Sequence, residues 1–151
     1  MPVQASLTDV LLAGGALLLT LGVGTVAHEF AHGLVLRALG VPFDVRWLPD
    51  RDDTGPAGAG FAGRWATVTP RALPPDLPPW GLRVAALAPL VLALPMALVL
   101  VGALPDPTGT DNLPLVVATL TWFGCALPSP QDFSLVWHAE VAIDEHAQTG
   151  W

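Results

Sequence analysis

The polar positions of this chain fall into islands, and the apolar stretches between them are long. Val10 to Ala27 carries no charged residue, nor does Val84 to Leu104, and Asn112 to Gln131 is uncharged though broken by prolines. About 20 apolar residues cross the ~30 Å hydrocarbon layer of a bilayer. The pattern therefore predicts an all-α polytopic membrane protein with three transmembrane helices, at about 10-39, 82-104 and 113-138. Span one begins near the cap-like SLTD and runs through Leu39 to a stop at Gly40 and Pro42. At ~1.5 Å per residue it measures about 45 Å, so it tilts or protrudes from the layer. Pro89 and Pro95 predict a kink in span two. Span three is apolar from Leu113 to Leu127, is interrupted by PSPQD, and resumes as FSLVWHA. Prolines and a carboxylate at that depth are tolerated where the backbone lines a cavity, which predicts a broken helix facing a site.

Between spans one and two the periodicity changes. VPFDVRWLP and GRWATVTP have alternating or β-branched character and are separated by the turn-forming DRDDTGPAGAG. They are expected either to pair as a short β-hairpin, whose edge could accept an extended peptide, or to form an irregular amphipathic loop at the headgroups. PRALPPDLPPW, with five prolines, reads as a stiff connector to span two, with Trp80 as an interface anchor.

Composition agrees with the pattern. The 151 residues make about one domain, 52% hydrophobic and 13% charged, with a mean hydropathy of +0.56; a single membrane-embedded domain over 1-151 is expected. The leader MPVQASLTD has no Lys or Arg, which argues against a cleaved signal peptide and keeps span one in the mature protein. Cys125 is the only cysteine, which excludes an intrachain disulfide. Charge then orients the chain. There is no Lys, and Arg37, Arg46, Arg51, Arg64, Arg71 and Arg83 all lie from the last turn of span one to the first turn of span two. Positive charge concentrates in cytoplasmic loops, so loop 40-81 and the C-terminus are expected in the cytoplasm and the N-terminus outside, in a multi-pass cell-membrane protein. The net charge of −7 argues against nucleic acid as a partner and is of the kind found in salt-adapted organisms.

One stretch breaks the apolar pattern with chemistry. TVAHEFAHG places His28, Glu29 and His32 inside the first span. Burying these groups costs several kcal/mol unless they are paired or solvated. As HExxH on a helix, the two imidazoles share a face and can reach one metal ion, while Glu29 points to a water on it as general base. Zinc brings the pKa of such a water toward neutrality. The alternative is a hydrogen-bonded polar cluster without metal. Gly24, Ala27, Ala31 and Gly33 leave space around the motif, for a substrate or for close helix packing.

A catalytic zinc usually has three protein ligands. Asp132, the only carboxylate of the third span, is the best third ligand; it also suits an N-cap for FSLVW, and one oxygen could serve each role. His138 and Glu140 in WHAE are rivals, His146 reads as a tail residue, and Cys125 as a small buried hydrophobe rather than a soft ligand. Trp122 and Trp137 read as packing or interfacial residues.

HEFAH in the first span, a strand-like loop, AALAPLVLALP in the second span and ALPSPQD in the third together resemble the site-2 protease family of intramembrane zinc metalloproteases, over roughly residues 20 to 138. In that family a later membrane helix carries a proline-rich turn ending in Asp-Gly whose Asp is the third zinc ligand. The resemblance implies one Zn2+ per chain on His28, His32 and Asp132, Glu29 as catalytic base, and a membrane or membrane-proximal protein substrate. Phe133 stands where the family has Gly, and Ala88 precedes Pro89 where Gly is usual, so a minimal or divergent member is expected. Two other classes make different demands. A non-hydrolytic metal-binding membrane protein would tolerate replacement of Glu29, and a plain scaffold would bind no metal at all.

Overall fold

The computed structural model describes residues 6–47, 66–74, 76–109 and 111–149. Its elements are α1 (Leu7–Ala38), β1 (Phe43–Trp47), β2 (Ala66–Pro70), α2 (Pro79–Leu87), a 3-10 segment (Ala88–Ala93), α3 (Leu94–Leu100), a 3-10 turn (Pro107–Gly109), α4 (Leu113–Ala126) and α5 (Pro130–Thr149). Among the described residues, three helical stretches are long and apolar enough to cross a membrane: Leu7–Ala38, Pro79–Leu100 and Leu113–Glu145.

Local chemistry sets the ends of α1. Ser6 Oγ accepts the Asp9 N–H at 3.1 Å while Asp9 Oδ2 accepts the Ser6 N–H at 3.0 Å, a reciprocal capping box at the predicted SLTD start. At the other end Gly40 turns left-handed at φ 70. Gly40 N–H then reaches Arg37 O at 3.1 Å and Val41 N–H reaches Leu36 O at 2.9 Å. This is a Schellman closure, and Leu36 and Val41 share one apolar cluster, as that motif favours.

The expected hairpin forms. β1 and β2 pair antiparallel, with Val45 opposite Val68 and Asp44 opposite Thr69. Arg71 Nε donates to Asp44 Oδ2 at 2.6 Å and Arg71 Nη2 donates to Asp44 Oδ1, a bidentate pair across the two strands. The turn DRDDTGPAGAG, and with it Arg51, lies outside the described residues, as does Arg64.

The expected kink in span two is a local change of helix type. Pro89 cannot donate a main-chain hydrogen bond, and the chain tightens into the 3-10 segment before resuming as α3. The expected break in span three falls at Leu127–Ser129, between α4 and α5. Helix and span differ here: α5 continues to Thr149 past the span end expected near 138, with a kink at His138. Charge ends an apolar run but does not end a helix.

Packing divides the chain into two compact units. One contains α1 up to His28 together with 89–128; the other contains α1 from Glu29, the chain to Ala88, and the chain from Ser129 onward. The second holds a core of Leu36, Val41, Leu77, Leu82, Ala85 and Ala139. Leu77 enters it from the proline-rich connector. Arg83 on α2 ties to α5 through Val136 O at 3.1 Å and Glu140 Oε1 at 2.9 Å. That clamp lies at a kink in α5, where His138 has φ −116 and ψ 24. In the first unit Gly24 packs on Cys125 so closely that a Cβ there would stand 2.6 Å from the Cys125 Sγ. Trp122 Nε1 donates to Leu92 O at 2.9 Å. Large apolar side chains point outward along the helices, including Leu11, Leu12, Leu18 and Leu19 on α1.

Candidate metal centre

His28 and His32 lie four residues apart on the unbroken α1, so one helical turn puts both rings on one face. Each ring is oriented by a main-chain carbonyl. His28 Nδ1 is 2.8 Å from Cys125 O, and His32 Nδ1 is 2.7 Å from Ala85 O. A carbonyl oxygen only accepts, so each Nδ1 carries the hydrogen, and in a neutral ring Nε2 then carries the lone pair. This is the tautomer that presents Nε2 to a metal, with the orienting partner on the opposite nitrogen.

Asp132 sits on the first turn of α5. Its Oδ2 accepts the Ser129 N–H at 2.6 Å while Ser129 Oγ accepts the Asp132 N–H at 3.2 Å. Ser129 is therefore the N-cap and Asp132 the third helical residue of a capping box. The sequence reading of Asp132 as the cap itself is displaced by one turn, because the serine before Pro130 takes that position. The other oxygen, Oδ1, stands 3.4 Å from His32 Nε2.

That contact tests the fit of a metal. With the proton on Nδ1, His32 Nε2 and Asp132 Oδ1 are both lone-pair carriers, and both side chains are largely buried, at 11% and 15% exposure. A cation placed between the two atoms would satisfy both lone pairs. Ligands about 2.0 to 2.1 Å from a tetrahedral zinc stand about 3.3 to 3.4 Å apart, which matches the observed separation. One donor atom from each of His28, His32 and Asp132 lies within 4.8 Å of the other two, and these residues form a group that could hold a metal ion. Two imidazoles and a carboxylate are a donor set for a divalent transition-metal ion.

Glu29 is half-buried on the same turn of α1. The rival ligands go elsewhere: Glu140 engages Arg83, and His138 is exposed at the α5 kink. Cys125 contributes its carbonyl to His28 and its sulfur to the contact with Gly24. A separate apolar cavity of about 490 Å³ in the first unit, lined by Leu92, Met96, Val99, Trp122 and Phe123 among others, shares no residue with the group.

The two orienting carbonyls escaped the reading of side-chain motifs, yet the sequence marks them. The N–H that would close the helix on Ala85 O belongs to residue 89, and residue 89 is proline. Cys125 O lies in the last turn of α4, where Pro128 has no N–H to give and the Ser129 N–H is directed to Asp132.

Comparison with protein-family models, with curated proteins and with solved structures returns no match. The chain is thus defined by its own features: a mostly helical protein with three helices of membrane-crossing length, a two-stranded sheet, and a His/His/Asp group able to hold a metal ion.

Proposed function

We propose that this protein is an intramembrane zinc metalloprotease of the site-2 protease type, with zinc held by His28, His32 and Asp132. The orientation of the donors supports this: both imidazoles commit Nδ1–H to carbonyls, and His32 Nε2 stands 3.4 Å from a carboxylate oxygen. A divalent ion bound there supplies Lewis acidity toward a scissile carbonyl and an activated water. Glu29, beside His28, takes the proton of the attacking water and returns it to the leaving amine as general base and then acid.

The length and apolar character of the helices support a bilayer setting for this chemistry, and the distribution of the arginines supports a cytoplasmic side for loop 40-81 and the C-terminus. The substrate is accordingly a membrane or membrane-proximal segment unwound enough to expose a peptide bond. The test is cleavage of a single-span reporter by purified protein reconstituted in vesicles. The wild-type chain cleaves it, and Glu29→Gln loses cleavage while retaining its zinc. Undiminished cleavage by Glu29→Gln contradicts the mechanism. A zinc-loaded wild-type chain that cleaves no membrane reporter points instead to the non-hydrolytic metal-binding class.

A further inference from the structure

We propose that Pro89 is a positioning residue for the metal centre, acting through the Ala85 carbonyl to hold His32 in the tautomer that binds metal; this rests on the metal-binding reading above. In an uninterrupted helix the residue 89 N–H would donate to Ala85 O. Proline has no N–H to give. The chain answers by tightening: the Ala88 N–H takes one lone pair of Ala85 O in the 3-10 manner. The second lone pair receives His32 Nδ1–H at 2.7 Å. Ala85 is 3% exposed and Pro89 is less than 2% exposed, so water does not compete for that carbonyl.

The opposing influence is also in place. Asp132 Oδ1, 3.4 Å from His32 Nε2, favours a proton on Nε2, because a carboxylate attracts a donor. A ring protonated there has its lone pair on Nδ1, facing away from Asp132, and cannot serve as its co-ligand. Ala85 O decides the contest by claiming the proton for Nδ1. It can do so because Pro89 leaves it an acceptor short of a helical donor.

Pro89→Ala restores the missing N–H. Two readouts follow. In metal-free protein with ¹⁵N-labelled histidine, at a pH where the rings are neutral, His32 in the wild-type chain gives the Nδ1–H pattern; its signal is identified by its loss in His32→Gln. In Pro89→Ala the pattern shifts toward Nε2–H. Zinc affinity, measured by competition with a chromophoric chelator, falls by about 10- to 100-fold, the range for loss of an orienting partner. Pro95→Ala straightens the same segment without touching Ala85 O and leaves both readouts at wild-type values. An unchanged His32 tautomer in folded Pro89→Ala overturns the role of Pro89, as does an equal loss of affinity in Pro95→Ala. Failure of the wild-type chain to bind zinc overturns the metal reading itself, and the tautomer measurement still judges Pro89 separately.

Discussion

Asp132 divides its oxygens between two tasks, and the division separates stability from chemistry. Oδ2 closes the capping box with Ser129 and Oδ1 faces His32. Ser129→Ala removes the cap acceptor and is expected to cost about 0.5 to 2 kcal/mol of stability, with zinc affinity within a few-fold of wild type. Asp132→Asn keeps an acceptor for Ser129 but replaces the anionic donor with an amide. It is expected to retain most of the stability and to lose zinc affinity by more than the ~10- to 100-fold typical of an outer partner. Thermal melts and chelator competition on the two variants, side by side, check this. His28 and His32 were legible in the sequence because their relation is local, four residues apart on one helix. Asp132 was legible as the one carboxylate of a broken apolar span, although its cap role belonged to Ser129. Ala85 and Cys125 were not, because they act through main-chain oxygens that leave no side-chain signature.

At the scale of elements, prolines shape this chain less by bending helices than by releasing carbonyls to side-chain donors. Pro89 releases Ala85 O to His32, and Pro128 leaves Cys125 O to His28. Pro95 has no N–H to close a 3-10 turn on Leu92 O, which receives the Trp122 indole. The hydropathy pattern located the helices because apolar runs and membrane-length helices coincide. The helix α5 outlasts the expected span because Glu140, Asp144 and Glu145 end hydrophobicity without ending the helix. The hairpin rests on a different force. The Arg71 guanidinium hydrogen-bonded to Asp44 holds its carboxyl below the usual carboxylate range. A depressed carboxyl stabilises the fold above its unfolded pKa, and the contribution is lost as pH falls through the lower folded value. Hydrogen exchange at the amides of Arg46 and Thr69, which lie in hydrogen-bonded pairs of the ladder, corrected for intrinsic rates, should therefore show protection that is constant near neutrality and declines below about pH 4. Asp44→Asn should show weaker protection without that decline.

At the scale of the molecule, outward-facing leucines and the uncharged stretches of α1, α3 and α4 describe a surface suited to lipid rather than water. Trp80 and Trp137, 57% and 76% exposed, are suited to the headgroup level. If the arginines orient the chain, single cysteines placed in loop 40-81 of a Cys125→Ala background react with a membrane-impermeant maleimide only from the cytoplasmic side, and one at Asp106 only from outside. Labelling with the opposite sidedness would reverse the topology and leave the metal centre untouched. Everything proposed for catalysis depends on the ion itself. The most direct measurement is the metal content of the purified, detergent-solubilised protein after zinc loading and removal of weakly held metal. One zinc per chain is predicted, retained in Glu29→Gln and lost in the His28→Ala, His32→Ala double variant. A wild-type chain that holds no zinc, or a double variant that holds as much, would contradict a metal centre at His28, His32 and Asp132.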